Sequence, residues 1–176
     1  MQDLLTLCRQ KNRKAQLELY RQHSRRLYYT CLRIVGNTEE AEEAMQDSFL
    51  KIFDHLDTYR EGSCFEAWSI RIAVRTAIDR VRQRRLLFES LNEHMMEEVS
   101  PDAEEQEKEW SCSVEKVKTS LEYLPQGYRI VLSLHWFEGF DFEEISEILK
   151  VQPSSVRSQY VRGRKKLLEL MKKQAE

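Results

Sequence analysis

Two stretches of this 176-residue chain gather cationic side chains. Residues 71–85 carry Arg71, Arg75, Arg80, Arg82, Arg84 and Arg85 against the single acid Asp79, a net of +5. Residues 150–173 carry Lys150, Arg157, Arg162, Arg164, Lys165, Lys166, Lys172 and Lys173 against Glu169, a net of +7. Cations at this density attract polyanions, because each phosphate they neutralise releases condensed counterions. Such a run is also what an ordinary solvated helix face looks like, so the surrounding residue types decide between the two. At the start of the second run stand Ser154, Ser155, Arg157, Ser158 and Gln159. Arg can bond guanine in a bidentate way, Gln can do so with adenine, and Ser is permissive. A third stretch has the opposite character. Residues 92–109 hold eight acids against Lys108, a net of −7, with few large apolar residues and Pro101.

The formal charge of the whole chain, −2, conceals this arrangement. Residues 1–91 sum to +3, 92–109 to −7 and 110–176 to +2. Two mildly basic blocks therefore flank an acidic segment, and like charges with little apolar content predict a linker rather than a core. The expected organisation is one domain over 1–91, a linker over 92–109 and a second domain over 110–176. Only 5 Gly and 3 Pro argue against a many-turned β sandwich or barrel. The Leu, Glu, Lys, Arg and Gln content favours helices. No run approaches the roughly 18 apolar residues of a membrane span, and the start of the chain lacks a signal pattern, so no membrane insertion and a cytoplasmic location are expected. Cys8, Cys31, Cys64 and Cys112 are widely spaced without a CxxC pair, and His23, His55, His94 and His135 are scattered. Neither a metal site nor a cofactor is expected from them. No phosphate-binding Gly-rich loop, nucleophile elbow or paired metal carboxylates occur, so an enzyme is disfavoured.

Helical periodicity supplies the elements that must position the charges. Leu17, Tyr20, Leu27, Tyr28, Cys31, Leu32 and Val35 recur at helical spacing until Gly36-Asn37 stops them. Asn37 with Glu40 reads as a capping box opening a second helix, with Ala41, Met45, Phe49, Ile52, Phe53 and Leu56 inward. Its other face holds Glu39, Glu42, Glu43, Gln46 and Asp47. After the turn 57–62, Ser63 with Glu66 predicts another capped helix, with Phe65, Trp68, Ile72, Ala73, Ala77 and Val81 inward and the arginines outward. In the second block a helix over about 111–123 precedes Pro125, which suits the first turn of the next. That next helix turns Ile130, Val131 and Leu134 inward and ends at Gly139. Asp141 and Glu144 cap a short helix. After Lys150-Val151-Gln152, Pro153 opens the last one, with Val156, Tyr160, Gly163, Leu167 and Leu170 on one stripe.

A short helix, a three- to four-residue turn and a longer basic helix form a helix-turn-helix pattern. In that motif the second helix enters the major groove and its first residues meet base edges. Ser154 to Gln159 occupy those positions, while Arg162, Arg164, Lys165 and Lys166 lie farther along and suit phosphates.

Residues 40–53, the run Phe65 to Ala73 with Ala77 to Arg82, the segment Leu121 to Leu132, and the pair Phe142–Leu149 and Pro153–Arg164 resemble, in order, the bacterial extracytoplasmic-function (ECF) sigma factors. The resemblance covers nearly all of residues 10–171. It implies an all-α protein with sigma region 2 and region 4 joined by the acidic linker. It implies no enzymatic activity, binding to core RNA polymerase, promoter DNA as ligand, and an anti-sigma factor as regulator. Glu42, Glu43, Gln46 and Phe49 become the expected polymerase contacts. Tyr59, Arg60, Trp68, Arg71, Arg75, Arg80, Arg82 and Arg84 are expected at the −10 element, where melting needs a pocket for an extruded base and cations for the separated strands. Ser154, Ser155, Arg157, Ser158, Gln159, Arg162, Arg164 and Lys165 are expected at the −35 element. The linker would thread toward the polymerase active site. Arg75 replaces a frequent Asn of the family, Ser69 a usual Leu, and Gln152, Ser154-Ser155 and Gln159 its usual Ser, Gly-Thr and Arg. Two other classes stay open on residues alone. A different helix-turn-helix regulator would account for 110–176 but not for the ordered pattern at 39–85. An interaction adaptor using only the acidic helix would leave both arginine-rich helices idle.

Overall fold

Backbone donors at the corners show why the helices break where they do. Asn12 accepts hydrogen bonds from the N–H groups of Lys14 (3.0 Å) and Ala15 (3.2 Å), which caps the helix that follows. Gly36 ends that helix in the left-handed region (φ 77°), where a residue without Cβ carries no penalty, and its N–H donates to Leu32 (2.8 Å). Asn37 then accepts from the Glu40 N–H at 3.0 Å. The reciprocal half of the expected capping box is not made, because the Glu40 carboxylate bonds Arg84 instead (3.1 and 3.2 Å).

The computed structural model describes residues 2–60, 64–89 and 114–173. Among these, all regular structure is helical, as expected. The chain divides into two compact units, Met1–Phe88 and Glu89–Glu176. The acidic segment 92–109, Cys112 and Ser63, with its expected capping box, lie outside the described residues. No helix among the described residues is long and apolar enough to cross a membrane.

The first unit contains α1 (Gln2–Arg9), α2 (Arg13–Val35), α3 (Thr38–Asp54), a 3-10 turn (Leu56–Thr58) and α4 (Phe65–Glu89). Leu19, Leu27, Ile34, Ile52, Leu56 and Val74 are fully buried in its core. Of the expected stripe on α2, Cys31 and Val35 are buried but Leu17 is 48% exposed, because the core-facing row runs instead through Ala15 and Leu19. Ser69, which stands where the family usually has Leu, is buried, and its hydroxyl donates to the Glu66 carbonyl at 2.9 Å. That bond removes the cost of an unpaired buried hydroxyl.

The second unit contains α5 (Val114–Glu122), α6 (Gln126–Trp136), α7 (Phe142–Leu149) and α8 (Pro153–Lys173). Pro125 sits at the cap of α6 rather than within its first turn. Five successive residues of α6, Ile130 to Leu134, are buried, so this helix is wrapped on all sides. Leu121, Leu124, Leu132 and Leu167 form a core over which Val117, Tyr128, Phe137, Tyr160, Leu170 and Met171 pack. Gly163 lets α8 approach α6 closely: a Cβ there would meet Tyr128 Cβ at 3.1 Å and Leu132 Cδ1 at 3.2 Å.

Candidate nucleic-acid interface

In the second unit the turn between α7 and α8 is built from local rules. Asp141 accepts from the Glu144 N–H (2.7 Å) while Glu144 accepts from the Asp141 N–H (3.1 Å), the full capping box. Lys150 closes α7 in the left-handed region (φ 54°). The Gln152 carbonyl accepts from Ser155 and Val156 as α8 begins. Val156 is buried and anchors that start, which leaves Ser154, Ser155 and Arg157 exposed on its free side. Ser158, Gln159, Arg162 and Arg164 are half-buried and Lys165 is exposed. Arg157 donates to Glu143 of α7 at 2.7 Å, with both side chains more than half exposed (57% and 62%). Behind the helix, His135, Phe142 and Tyr160 form a ring cluster with centroids 4.9 to 5.1 Å apart. The Arg164 guanidinium lies 5.7 Å from the Tyr160 ring centre, a cation–π distance.

In the first unit the arginine run of α4 divides in two. Arg71 and Arg75 are exposed. Arg80 donates to Asp47 (2.8 Å) and to Glu43 of α3, and Arg84 bonds both oxygens of Glu40. The hydrogen bond that Arg80 donates to Asp47 is the largest influence raising its pKa, Glu43 adds to it, and partial burial opposes it. Arg82 pairs with Asp79 of its own helix at 3.4 Å. The expectation that the arginines of α4 face outward holds for Arg71 and Arg75 and needs correction for Arg80 and Arg84, which reach across to α3. Glu43 is bound by Arg80, and the two helices share a lattice of charge.

Two expected contact residues belong to the core. Phe49 is 3% exposed, its ring 4.7 Å from Tyr20 and 6.0 Å from Phe53, so it is not available on the outer face of α3. Tyr59 is buried as well, packed against Phe65 (5.6 Å) and Trp68 (5.4 Å). Trp68 is half-buried against Tyr59 and Phe65, and Arg60 is exposed. The outer face of α3 carries Glu39, Glu42, Glu43 and Gln46 together with Leu50, which is 64% exposed. The hydrophobic pattern offered no reason to single out Leu50. Its place seven or eight residues after Glu42 and Glu43, on one helical face, was the available signal.

Residues 19–86 match the family described as sigma-70 region 2, and residues 115–167 match sigma-70, region 4. The chain is 34% identical over 158 residues to the ECF RNA polymerase sigma factor SigE of Mycolicibacterium smegmatis, covering 89% of this chain and 61% of that one. The chain belongs to the sigma-70 family, in its ECF branch. It is 27% identical to the ECF sigma factor SigW of Bacillus subtilis, with 81% of each chain covered. Its fold is that of the Bartonella quintana sigma factor RpoE, solved with the anti-sigma factor NepR (TM-score 0.58, 22% identity, 88% of this chain and 95% of that). CnrH, solved with the cytosolic domain of CnrY, is also similar (TM-score 0.55, 22% identity, 96% and 95%). Region 2 of this sigma factor thus spans most of α2, α3, the 3-10 turn and α4 up to residue 86. Region 4 spans α5 to residue 167 of α8, including the capped turn and the exposed Ser154, Ser155 and Arg157.

Proposed function

We propose that this sigma factor docks on core RNA polymerase through the outer face of α3 and brings it to promoters through α4 and α8. The observation that carries the reading is the start of α8. A capped short helix, a tight turn and a 21-residue basic helix present Ser154, Ser155 and Arg157 to solvent at a helix N-terminus, where base edges and phosphates are both accessible. Ser158 and Gln159 flank that patch, while Arg162, Arg164 and Lys165 follow the backbone as phosphate contacts. In the first unit Trp68 offers a partly exposed aromatic face for an unstacked base, and Arg60, Arg71 and Arg75 are exposed cations for the separated strands. Tyr59 acts beneath them by supporting Trp68. Arg80 and Arg84 tie α4 to α3 and set the shape of this surface, with Arg82 alongside. On α3, Glu42, Glu43 and Gln46 share an exposed face with Leu50, a small apolar anchor at the end of an acidic row, which suits a basic partner surface. Phe49 supports that face from below.

This reading makes the protein a transcription initiation factor without catalysis of its own, working in the cytoplasm where polymerase and chromosome meet. The similarity to RpoE and CnrH, each solved with a partner, supports an anti-sigma factor as its regulator. A helix-turn-helix regulator of another kind is less well supported, because it leaves the region 2 match over residues 19–86 unexplained. Run-off transcription from a genomic library with purified core enzyme tests the reading. Promoter-dependent products are expected only when this protein is added; their absence across the library would overturn it.

A further inference from the structure

The region 2 match begins at residue 19, so α1 lies outside it. Yet α1 is firmly placed. Leu5 and Cys8 are buried, and burial pushes the Cys8 thiol pKa up. Lys11 turns the chain in the left-handed region (φ 58°), and the Asn12 N–H closes the corner onto Leu7 (3.1 Å). This places Arg9, the last residue of α1, against a segment 47 to 50 residues later. Its Nε donates to the Leu56 carbonyl and its Nη2 to the Tyr59 carbonyl, each at 3.2 Å. Asp57 stands 4.0 Å from the same Nε. The Arg9 side chain is only 24% exposed.

Burial of Leu56 and Tyr59 anchors the side chains of the segment it grips, but the backbone there has little regular pairing. A single 3-10 turn gives few internal hydrogen bonds, and its last carbonyls lack helical donors. Within it, Thr58 and Tyr59 donate backward to His55 and Leu56. Beyond it, Tyr59 carries the ring that supports Trp68, and Arg60 is exposed. Fixing two carbonyls three residues apart with one rigid guanidinium sets the direction in which Tyr59 and Arg60 leave the turn.

We infer that Arg9 is a positioning residue for −10 recognition: from outside region 2 it braces Leu56–Tyr59, and thereby the Tyr59–Trp68 ring stack and Arg60, for the extruded base. The inference rests on the reading of that surface as the −10 site. Two variants separate its elements. Arg9→Met keeps the apolar stem and removes every donor. Arg9→Lys keeps the charge but has a single nitrogen in place of the fork.

Hydrogen exchange on the full chain gives the local readout. In Arg9→Met the amides of residues 57–60 should exchange about tenfold faster, with the middle turns of α3 and α4 unchanged. Unchanged exchange at 57–60 would overturn the brace. The functional readout is a ratio measured with assembled holoenzyme on a promoter found by run-off transcription. Open-complex formation is compared between the native −10 element and single-base substitutions of it. Arg9→Met should lower this discrimination about tenfold, and Arg9→Lys by less. General misfolding would lower both promoters alike and leave the ratio intact. Arg60→Ala serves as the reference. An intact ratio in Arg9→Met beside a lowered ratio in Arg60→Ala overturns the role of Arg9 alone. An intact ratio in both overturns the placing of the −10 element as well.

Discussion

In α4, Arg80 lies between Glu43 and Asp47 of the neighbouring helix and Arg84 holds both oxygens of Glu40. In α8, Arg157 bonds Glu143 in a solvent-exposed pair. The two settings differ in what an incoming phosphate or base must displace. The Arg80 side chain is 27% exposed and its Nε is buried without an acceptor. Releasing it would leave carboxylates of α3 without their partner. Arg157 is 57% exposed, and an exposed pair of this kind is worth about 0–1 kcal/mol. A base contact worth about 1–3 kcal/mol exceeds that. Arginines of similar runs can therefore serve different ends: Arg80 and Arg84 fasten two helices, whereas the exposed Arg157 pair is weak enough for a base contact to replace it.

The largest expected effect falls on the exchangeable side. Arg157→Ala should weaken binding to a cognate −35 duplex by about 1–3 kcal/mol and should flatten the preference for it over a substituted duplex. Titration of both duplexes at one fixed salt concentration measures this. An equal loss on both would make Arg157 a phosphate contact. The next effect falls on the fastening side. Arg80→Ala should lower the stability of the first unit by about 1 kcal/mol, since it breaks two charge-assisted hydrogen bonds that are only partly desolvated. Denaturant unfolding followed by hydrogen exchange in α3 and α4 reads that loss. Arg157→Ala should cost the second unit less than about 0.5 kcal/mol by the same method. Equal losses in the two units would erase the contrast between them.

The contrast also marks what could be read from the residues. The helix-turn-helix was legible because its signals are local: Asp141 with Glu144, the break at Lys150 to Gln152, and Pro153 all act within a few residues. The core stripes on α3 and α6 were legible for the same reason, as periodicity is a property of one helix. The pairing of Arg80 with Glu43 was not, because 37 residues separate the two and nothing local sets how α3 and α4 are aligned. Periodicity places Phe49 on the inward stripe of α3, where it is found, and only the resemblance makes it a surface contact. Tyr59 lies in a turn without a period, so no pattern tells whether its ring faces the surface or supports it from below. The short α1, with Leu5 and Cys8 buried, offers too few turns for periodicity to stand out.

The smallest effect concerns two histidines in comparable aromatic surroundings. In the second unit, His135 Nδ1 lies 2.9 Å from the Phe140 carbonyl, which requires that nitrogen to carry the proton, and its ring stacks on Phe142. In the first unit, His23 lies 5.1 Å from the Phe65 ring and its Nε2 is buried without a hydrogen-bond partner. Burial lowers the His23 pKa below its ordinary 6.5; nearby Arg26 lowers it further, while Glu66 opposes both. Arg26 and Glu66 bond each other at 2.9 Å. Below pH 6.5 the unfolded chain takes up a proton at His23 that the folded unit resists, so the unfolded state binds more protons and stability falls with falling pH. The contribution is fully present above 6.5 and declines from there until the lowered folded pKa is passed. Thermal unfolding of the first unit, followed at about pH 7.5 and about pH 5.5, should show the lower midpoint at the acid end, ahead of carboxylate titration near pH 4. His23→Gln should remove most of that difference, because glutamine has no charge to gain. A midpoint that is flat over this range, or that slopes equally in His23→Gln, would show that burial of His23 imposes no proton penalty on the first unit.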